Sequence, residues 1–167
     1  MEIDKFIRKL KRNINKNKEF YVHNEEAVKL QIVVPFLGML GWDFKNPDQV
    51  VPEPVISVNK RVKIKLDYLL QIKERNKIKK IGVEVKALGK LNEVAFIRIA
   101  KIAEATDIRY IIMTDGDRWQ LYDLSKPLGK SLIIEWSLLK ENSKKVANKA
   151  HVIANTKDFG NIRSLSF

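Results

Sequence analysis

The chain has 167 residues, 45% hydrophobic and 31% charged, a size that suits one domain with its own core. With no cysteine and only two histidines, His23 and His151, it excludes a disulfide framework and thiolate-ligated zinc or iron–sulfur centres, and it argues against a histidine-rich metal centre. Thirty-two Lys and Arg against twenty Asp and Glu leave +12, a field that suits DNA or RNA because basic groups displace counterions from phosphate. A merely soluble basic protein, or one facing an acidic membrane, would carry the same charge.

Met1 to Lys18 places Ile3, Phe6, Ile7, Leu10 and Ile14 on one helical face and Lys5, Arg8, Lys9, Arg12 and Lys16 around the rest. This predicts a basic amphipathic helix packed on the domain, since no aromatic anchor beyond Phe6 favours a membrane surface. The charge from Glu2 onward is unlike a signal peptide. The apolar stretch Ile32–Trp42, broken by Pro35, Gly38 and Gly41, is too short to span a bilayer. The expectation is a soluble, cytoplasmic protein.

A second helix is predicted from His23–Asn24, with Asn24 as N-cap and Glu25 and Glu26 in the first turn, where the helix dipole favours acids. It runs through Val28, Ile32, Val33, Phe36 and Leu40, kinks at Pro35 and ends at Gly41. Val50–Ser57 reads as an irregular or edge strand because it carries Pro52 and Pro54. Arg61–Ile72 alternates and reads as one strand, with Val62, Ile64, Leu66, Tyr68, Leu70 and Ile72 on one face and Arg61, Lys63, Lys65 and Asp67 on the other. Lys73–Lys80 reads as a polar hairpin connection, and Ile81–Lys86 as a short strand with Gly82, Glu84 and Lys86 opposite Ile81, Val83 and Val85. A largely buried helix follows over Leu91–Thr106, then strands over Arg109–Met113, Trp119–Leu124 and Leu132–Trp136, with a turn at Asp115–Gly116. One α/β domain accounts for the pattern, residues 1–140 forming its body and 141–167 a C-terminal helix or tail packed on it.

Asp67, Glu84 and Lys86 carry the chemistry. If the two strands that hold them pair, all three project from one sheet face. Two carboxylates and a lysine are what metal-dependent phosphodiester cleavage needs. The carboxylates hold a hard cation, the cation activates water and neutralises phosphate, and the lysine orients that water or stabilises developing charge. The acid–x–lysine triplet alone says nothing. Chance gives about three in a chain of this composition, and Asp43–Phe44–Lys45 matches as well as Glu84–Val85–Lys86. Context favours the second: an apolar strand around Glu84, a preceding strand with Asp67, and a basic chain. A salt-bridge ladder between strands is the rival reading.

In this setting the chain resembles a family. Glu25-Glu26-Ala-Val-Lys leading to Pro35-Phe-Leu-Gly-Met-Leu-Gly-Trp42-Asp43, then Val51-Pro-Glu-Pro, Leu66-Asp67-Tyr68, Gly82-Val-Glu84-Val-Lys86-Ala and Thr114-Asp-Gly-Asp-Arg-Trp119-Gln-Leu-Tyr122, resemble in order the N-terminal nuclease domain of type I restriction enzyme motor subunits. That domain belongs to the PD-(D/E)xK superfamily. The resemblance implies a restriction-endonuclease-like αβββαβ core, a mixed sheet flanked by helices, and Mg²⁺-dependent DNA cleavage, with Mn²⁺ as a substitute. It implies Asp67 and Glu84 as metal ligands and Lys86 as catalytic lysine. On the opening helix it implies Glu25, with Glu26 the near alternative, as the acid completing the metal shell. Leu66 replaces the family's proline, and Arg98 and Ile102 stand where a glutamine and a tyrosine are frequent.

No Walker-type segment is present, so the expectation is a nuclease that acts alone, as a homodimer cutting both strands, or with a separate helicase or specificity chain. Lys63 and Lys65, and the run Lys73, Arg75, Lys77, Lys79 and Lys80, are candidate phosphate contacts; for the run, a solvated hairpin tip fits equally well. Trp119 and Tyr122 read as core, and His23 as a neighbour of the helix cap. Two rival functions are a structure-selective nuclease of the Holliday-junction type and a non-catalytic nucleic-acid-binding module of the same fold.

Overall fold

The computed structural model describes residues 2–57, 59–61, 63–74, 77–92, 101 and 106–156, and the side chains of all of these except Glu74 and Leu128. It is a mixed α/β structure whose six-stranded mixed sheet is flanked by helices. Arg98, Ile102, Arg75 and most of the expected helix over Leu91–Thr106 lie outside the described residues.

Helix α1 (Glu2–Lys16) buries Ile7, Leu10 and Ile14, so its apolar stripe faces the core as its spacing requires. A short helix that periodicity did not announce, α2 (Lys18–Val22), follows. It buries Tyr21, whose hydroxyl accepts from Asn13 Nδ2 at 2.9 Å and donates to Gln31 Oε1 at 3.0 Å. Asn24 then caps α3 (Glu25–Val28), its side chain accepting from the Ala27 N–H.

The helix does not run on as a regular α-helix. Lys29–Val33 is a π-helical turn, in which Val34 N–H reaches back five residues to the Lys29 carbonyl, and α4 (Val34–Met39) completes the segment. Pro35 lacks an N–H, and its ring would crowd the Gln31 carbonyl in a regular helix; the wider turn absorbs that conflict. Gly41, at φ +94°, closes the helix. Its N–H meets the Gly38 carbonyl at 3.0 Å, and Trp42 N–H meets that of Leu37 at 3.1 Å, a Schellman ending.

The sheet has the order β1 (Val50–Pro52), β4 (Tyr68–Glu74), β5 (Lys77–Val85), β6 (Tyr110–Thr114), β7 (Arg118–Asp123), β8 (Leu132–Ser137). Neighbours are antiparallel except β5 and β6, which are parallel. A separate two-stranded ribbon pairs β2 (Val55–Ser57) with β3 (Lys63–Lys65). Alternation sorts the sheet's side chains. Ile81, Val83, Val85, Tyr110 and Ile112 pack with the helices, whereas Ile111 and Met113 join Ile64, Leu66 and Ile108 on the other face. Trp119 is fully buried, its ring centroid 4.7 Å from that of Phe36 and 6.0 Å from that of Trp136.

Two strand expectations are corrected. Arg61–Ile72 is not one strand, because the backbone changes partners at Leu66 and Asp67. Leu66 N–H donates to the Pro54 carbonyl, whereas Asp67 N–H donates to that of Val83 and the Asp67 carbonyl accepts from Glu53 N–H. Ile64 and Leu66 therefore pack on one face of the sheet and Tyr68, Leu70 and Ile72 on the other. Lys63 and Lys65 thus lie on the ribbon and do not share a strand face with Asp67. Nor is Lys73–Lys80 a connection: Glu74 pairs with Lys77, so β4 and β5 continue almost to the tip, and Lys77, Lys79 and Lys80 are strand residues. Cross-strand pairing outweighs the local polarity that suggested a loop.

The C-terminal helix α5 (Ser143–Ala150) buries Val146 and Ala150 in the same core as α1. Lys11 Nζ donates to the Glu141 carbonyl at 2.7 Å, and Trp42 Nε1 to that of Ile153 at 2.8 Å. No helix among the described residues is long and apolar enough to cross a membrane.

Candidate active site

The site forms where β4 begins and β5 ends. Just before β4, Asp67 reaches the neighbouring strand off the ladder's register: its N–H donates to the carbonyl of Val83, the residue that Tyr68 already faces. Asp67 is oriented by the strand itself: its Oδ2 accepts from the Val85 N–H at 2.7 Å. That bond fixes one carboxylate oxygen and leaves Oδ1 turned toward the helices, where Lys29 Nζ lies 2.6 Å away.

Glu84 sits on the strand face shared with Gly82, as the alternation predicts, and is 5% exposed. Gly82 leaves room for its neighbours there, since a Cβ would come within 2.6 Å of Ile111 Cδ1 and 2.8 Å of Leu66 Cδ1 and one of those side chains would have to shift. Lys86 follows the last strand residue. Its backbone N–H is held by the Thr114 carbonyl at 2.8 Å, while its ammonium lies 2.6 Å from Glu84 Oε1 and 3.1 Å from the Val85 carbonyl. The loop beyond is anchored by Leu88 N–H to the Tyr21 carbonyl and by Gly89 N–H to Asp115 Oδ2.

Asp115 confirms the expected turn. Its Oδ1 accepts from the N–H groups of Asp117 and Arg118, and Gly116, at φ +88°, fits tightly over Val28 and Ile32. Burial pushes the Asp115 carboxyl above the usual carboxylate range against the pull of its three backbone donors.

Lys29 is the site residue that sequence reasoning missed. Besides Asp67 it faces Glu25 Oε1 at 3.6 Å and Glu26 Oε2 at 3.5 Å, and its side chain is 16% exposed. Burial alone would lower its pKa, but Asp67 first and then Glu25 and Glu26 outweigh this and hold the ammonium well above the usual lysine range. The spacing of Glu25, Glu26 and Lys29 signals local helix pairs. Nothing local signals Asp67, which arrives from the sheet.

The structure thus links Asp67 to Glu25 and Glu26 through Lys29, and Glu84 to Lys86, the two groups being tied by the Asp67–Val85 hydrogen bond. Glu25 does not join Asp67 and Glu84 directly: among the described residues no three Asp, Glu or His side chains gather closely enough to hold a metal ion. The available donors are nonetheless those of a hard-cation site. Asp67 Oδ1, Glu84 Oε1 and the Val85 carbonyl are all oxygens, and each already meets an ammonium group. Four carboxylates against two ammonium groups leave two negative charges, a balance that suits a divalent ion.

Of the basic candidates, Lys65 lies beside this centre, since its partner Glu53 donates its N–H to the Asp67 carbonyl at 2.8 Å. Lys63 and Lys65 are exposed on the ribbon, Lys65 pairing with Glu53 at 2.7 Å. Lys77 is exposed at the far end of β5, about 23 Å along the strand from Glu84. Lys79 is half-buried, and Lys80, also half-buried, pairs with Asp107 at 2.8 Å. In comparisons with protein-family models, curated proteins and solved structures, nothing matches this chain.

Proposed function

We propose that the protein is a metal-dependent DNA endonuclease with a restriction-endonuclease-like PD-(D/E)xK core, hydrolysing phosphodiester bonds in the manner of restriction enzymes. The observation that carries this reading is that the Asp67 carboxylate is bound to the end of β5, on the Val85 N–H, between Glu84 and the Lys86 that pairs with it. Asp67 and Glu84 would hold Mg²⁺, or Mn²⁺ in its place, and the resemblance makes Glu25 the third acid. A cation bound there would lower the pKa of an attacking water and neutralise charge on the scissile phosphate. The Val85 N–H fixes one oxygen of the Asp67 carboxylate and so sets the direction of the other. Lys86, tethered by Thr114 through its backbone, places its ammonium beside Glu84, where it would orient water or meet the charge developing on phosphorus. The strand and ribbon lysines supply non-specific attraction to the backbone.

A non-catalytic nucleic-acid-binding module is the second reading, favoured by the ammonium groups already seated on both carboxylates. Incubation with supercoiled plasmid separates the two. Nicking that requires Mg²⁺ or Mn²⁺ and vanishes in Asp67→Ala supports the nuclease, whereas binding without nicking in either metal supports the module. A four-way junction cut in preference to a linear duplex of the same sequence would move the assignment to a structure-selective enzyme.

A further inference from the structure

Lys29 has a place in the site that the nuclease chemistry above leaves unused. Asp67 Oδ2 is committed to the Val85 N–H, so Oδ1 is the oxygen through which Asp67 can take a cation, and the Lys29 ammonium sits on it at 2.6 Å. An ammonium and a divalent ion cannot both lie against that oxygen without strong repulsion. Lys29 also has somewhere to go. Glu25 and Glu26 stand one turn earlier on its own helix at 3.6 and 3.5 Å, both more exposed than Asp67, and a lysine's flexible stem lets a point charge swing between them.

We propose that Lys29 is the resident counter-cation of Asp67, that a divalent ion entering at Asp67 displaces it onto Glu25 and Glu26, and that this exchange sets the metal affinity of the site. The inference rests on the nuclease reading for Asp67 as a ligand. It gives the acids of the opening helix a different task from the one the resemblance implies: they receive the ammonium. The displaced charge then remains nearby as a cation facing incoming phosphate.

The test is Mn²⁺ binding by calorimetry to the full chain, with the melting temperature followed at each metal concentration. Lys29→Met removes the competing charge and should tighten Mn²⁺ by about tenfold, the scale of a partly buried ion pair. It should also lower the metal-free melting temperature and enlarge the rise that Mn²⁺ produces. Lys29→Arg keeps the charge and should stay within about threefold of wild type, which keeps the proposal testable if the methionine variant does not fold. Replacing Glu25 and Glu26 together by Gln should weaken Mn²⁺ in the wild-type background and have little effect alongside Lys29→Met. Equal weakening in both backgrounds would make Glu25 or Glu26 a direct ligand and overturn the proposal, as would unchanged or weaker Mn²⁺ binding in Lys29→Met. Wild-type protein that nicks plasmid yet shows either result loses only the exchange. Wild-type protein that neither binds Mn²⁺ nor nicks loses the nuclease reading as well.

Discussion

Two sets of buried and half-buried carboxylates divide the sheet between them, and they are held in different ways. Near β7 and β8, Asp123 accepts from Arg109 through Nε and Nη2 and from Ser125 through N–H and hydroxyl. Asp115 accepts from three backbone N–H groups, and Asp117 Oδ1 from the Ser137 hydroxyl and the Leu139 N–H. At the start of β4 and the end of β5, by contrast, Asp67 and Glu84 each meet the ammonium of a lysine. Backbone donors are set by the fold, and a forked guanidinium is held in one geometry by two bonds. A lysine is a single charge on a flexible stem. The first set closes turns; the second can trade one cation for another.

The largest expected effect comes from swapping the roles. Glu84→Gln or Lys86→Ala should reduce plasmid nicking by at least about a hundredfold, with the far-ultraviolet circular dichroism of wild type retained. Asp123→Ala should leave nicking per folded molecule unchanged but cost about 1–3 kcal/mol in urea unfolding, because Ser125 and Arg109 lose a buried acceptor. Equal nicking losses in both variants would erase the distinction between the sets.

A smaller effect is expected at Gly116. Alanine there would need a strained positive φ and would bring its Cβ to 3.1 Å from both Val28 and Ile32, costing about 1–2 kcal/mol in the same unfolding assay. Because Val28 directly precedes Lys29, a change in Mn²⁺ affinity in Gly116→Ala would show that the structural set also tunes the exchangeable one.

Acid should act through Asp123 of the structural set and through Glu135 and Glu141. Burial tends to raise the carboxyls of Asp123, Glu135 and Glu141. Their partners outweigh it: Arg109 and Ser125 at Asp123, Arg118 and Gln120 at Glu135, Lys149 and the Ser137 N–H at Glu141. All three are held below the usual range. A folded pKa below the unfolded one contributes stability at neutral pH and loses it as pH falls toward the folded value, so the melting temperature should drop below about pH 4. Asp115 has the opposite sign, its raised pKa favouring the fold when protonated, and it offsets part of that drop. Asp123→Asn should melt lower at neutral pH and flatten the profile; an unchanged profile would remove Asp123 from the account.

The smallest effect is expected far from both sets. Lys77→Glu with Lys79→Glu should leave the cleavage rate of saturated enzyme unchanged. The slope of log affinity against log salt should become shallower by about one for each phosphate these lysines neutralise. A slope equal to wild type would make that end of the β4–β5 hairpin solvated surface.

Much of the site was legible because it rests on short-range geometry. Asn24 and the two acids after it announce a capped helix start, and Gly41 its end. The alternation through Ile81–Val85 puts Glu84 on the correct face of its strand, since side chains alternate whatever the strand pairs with. The order of the sheet, the split between ribbon and sheet at Leu66 and Asp67, and the extension of β5 to Lys77 depend on which backbone groups find partners across the molecule. Periodicity carries no record of that choice. Lys29 shows the boundary most clearly. Its helix position relative to Glu25 and Glu26 is a matter of spacing alone, but its contact with Asp67 exists because the π-helical turn and the start of β4 are packed together in three dimensions. A charge pair between elements 38 positions apart has no local signature, because the Coulomb attraction that forms it depends on distance in space, not on distance along the chain.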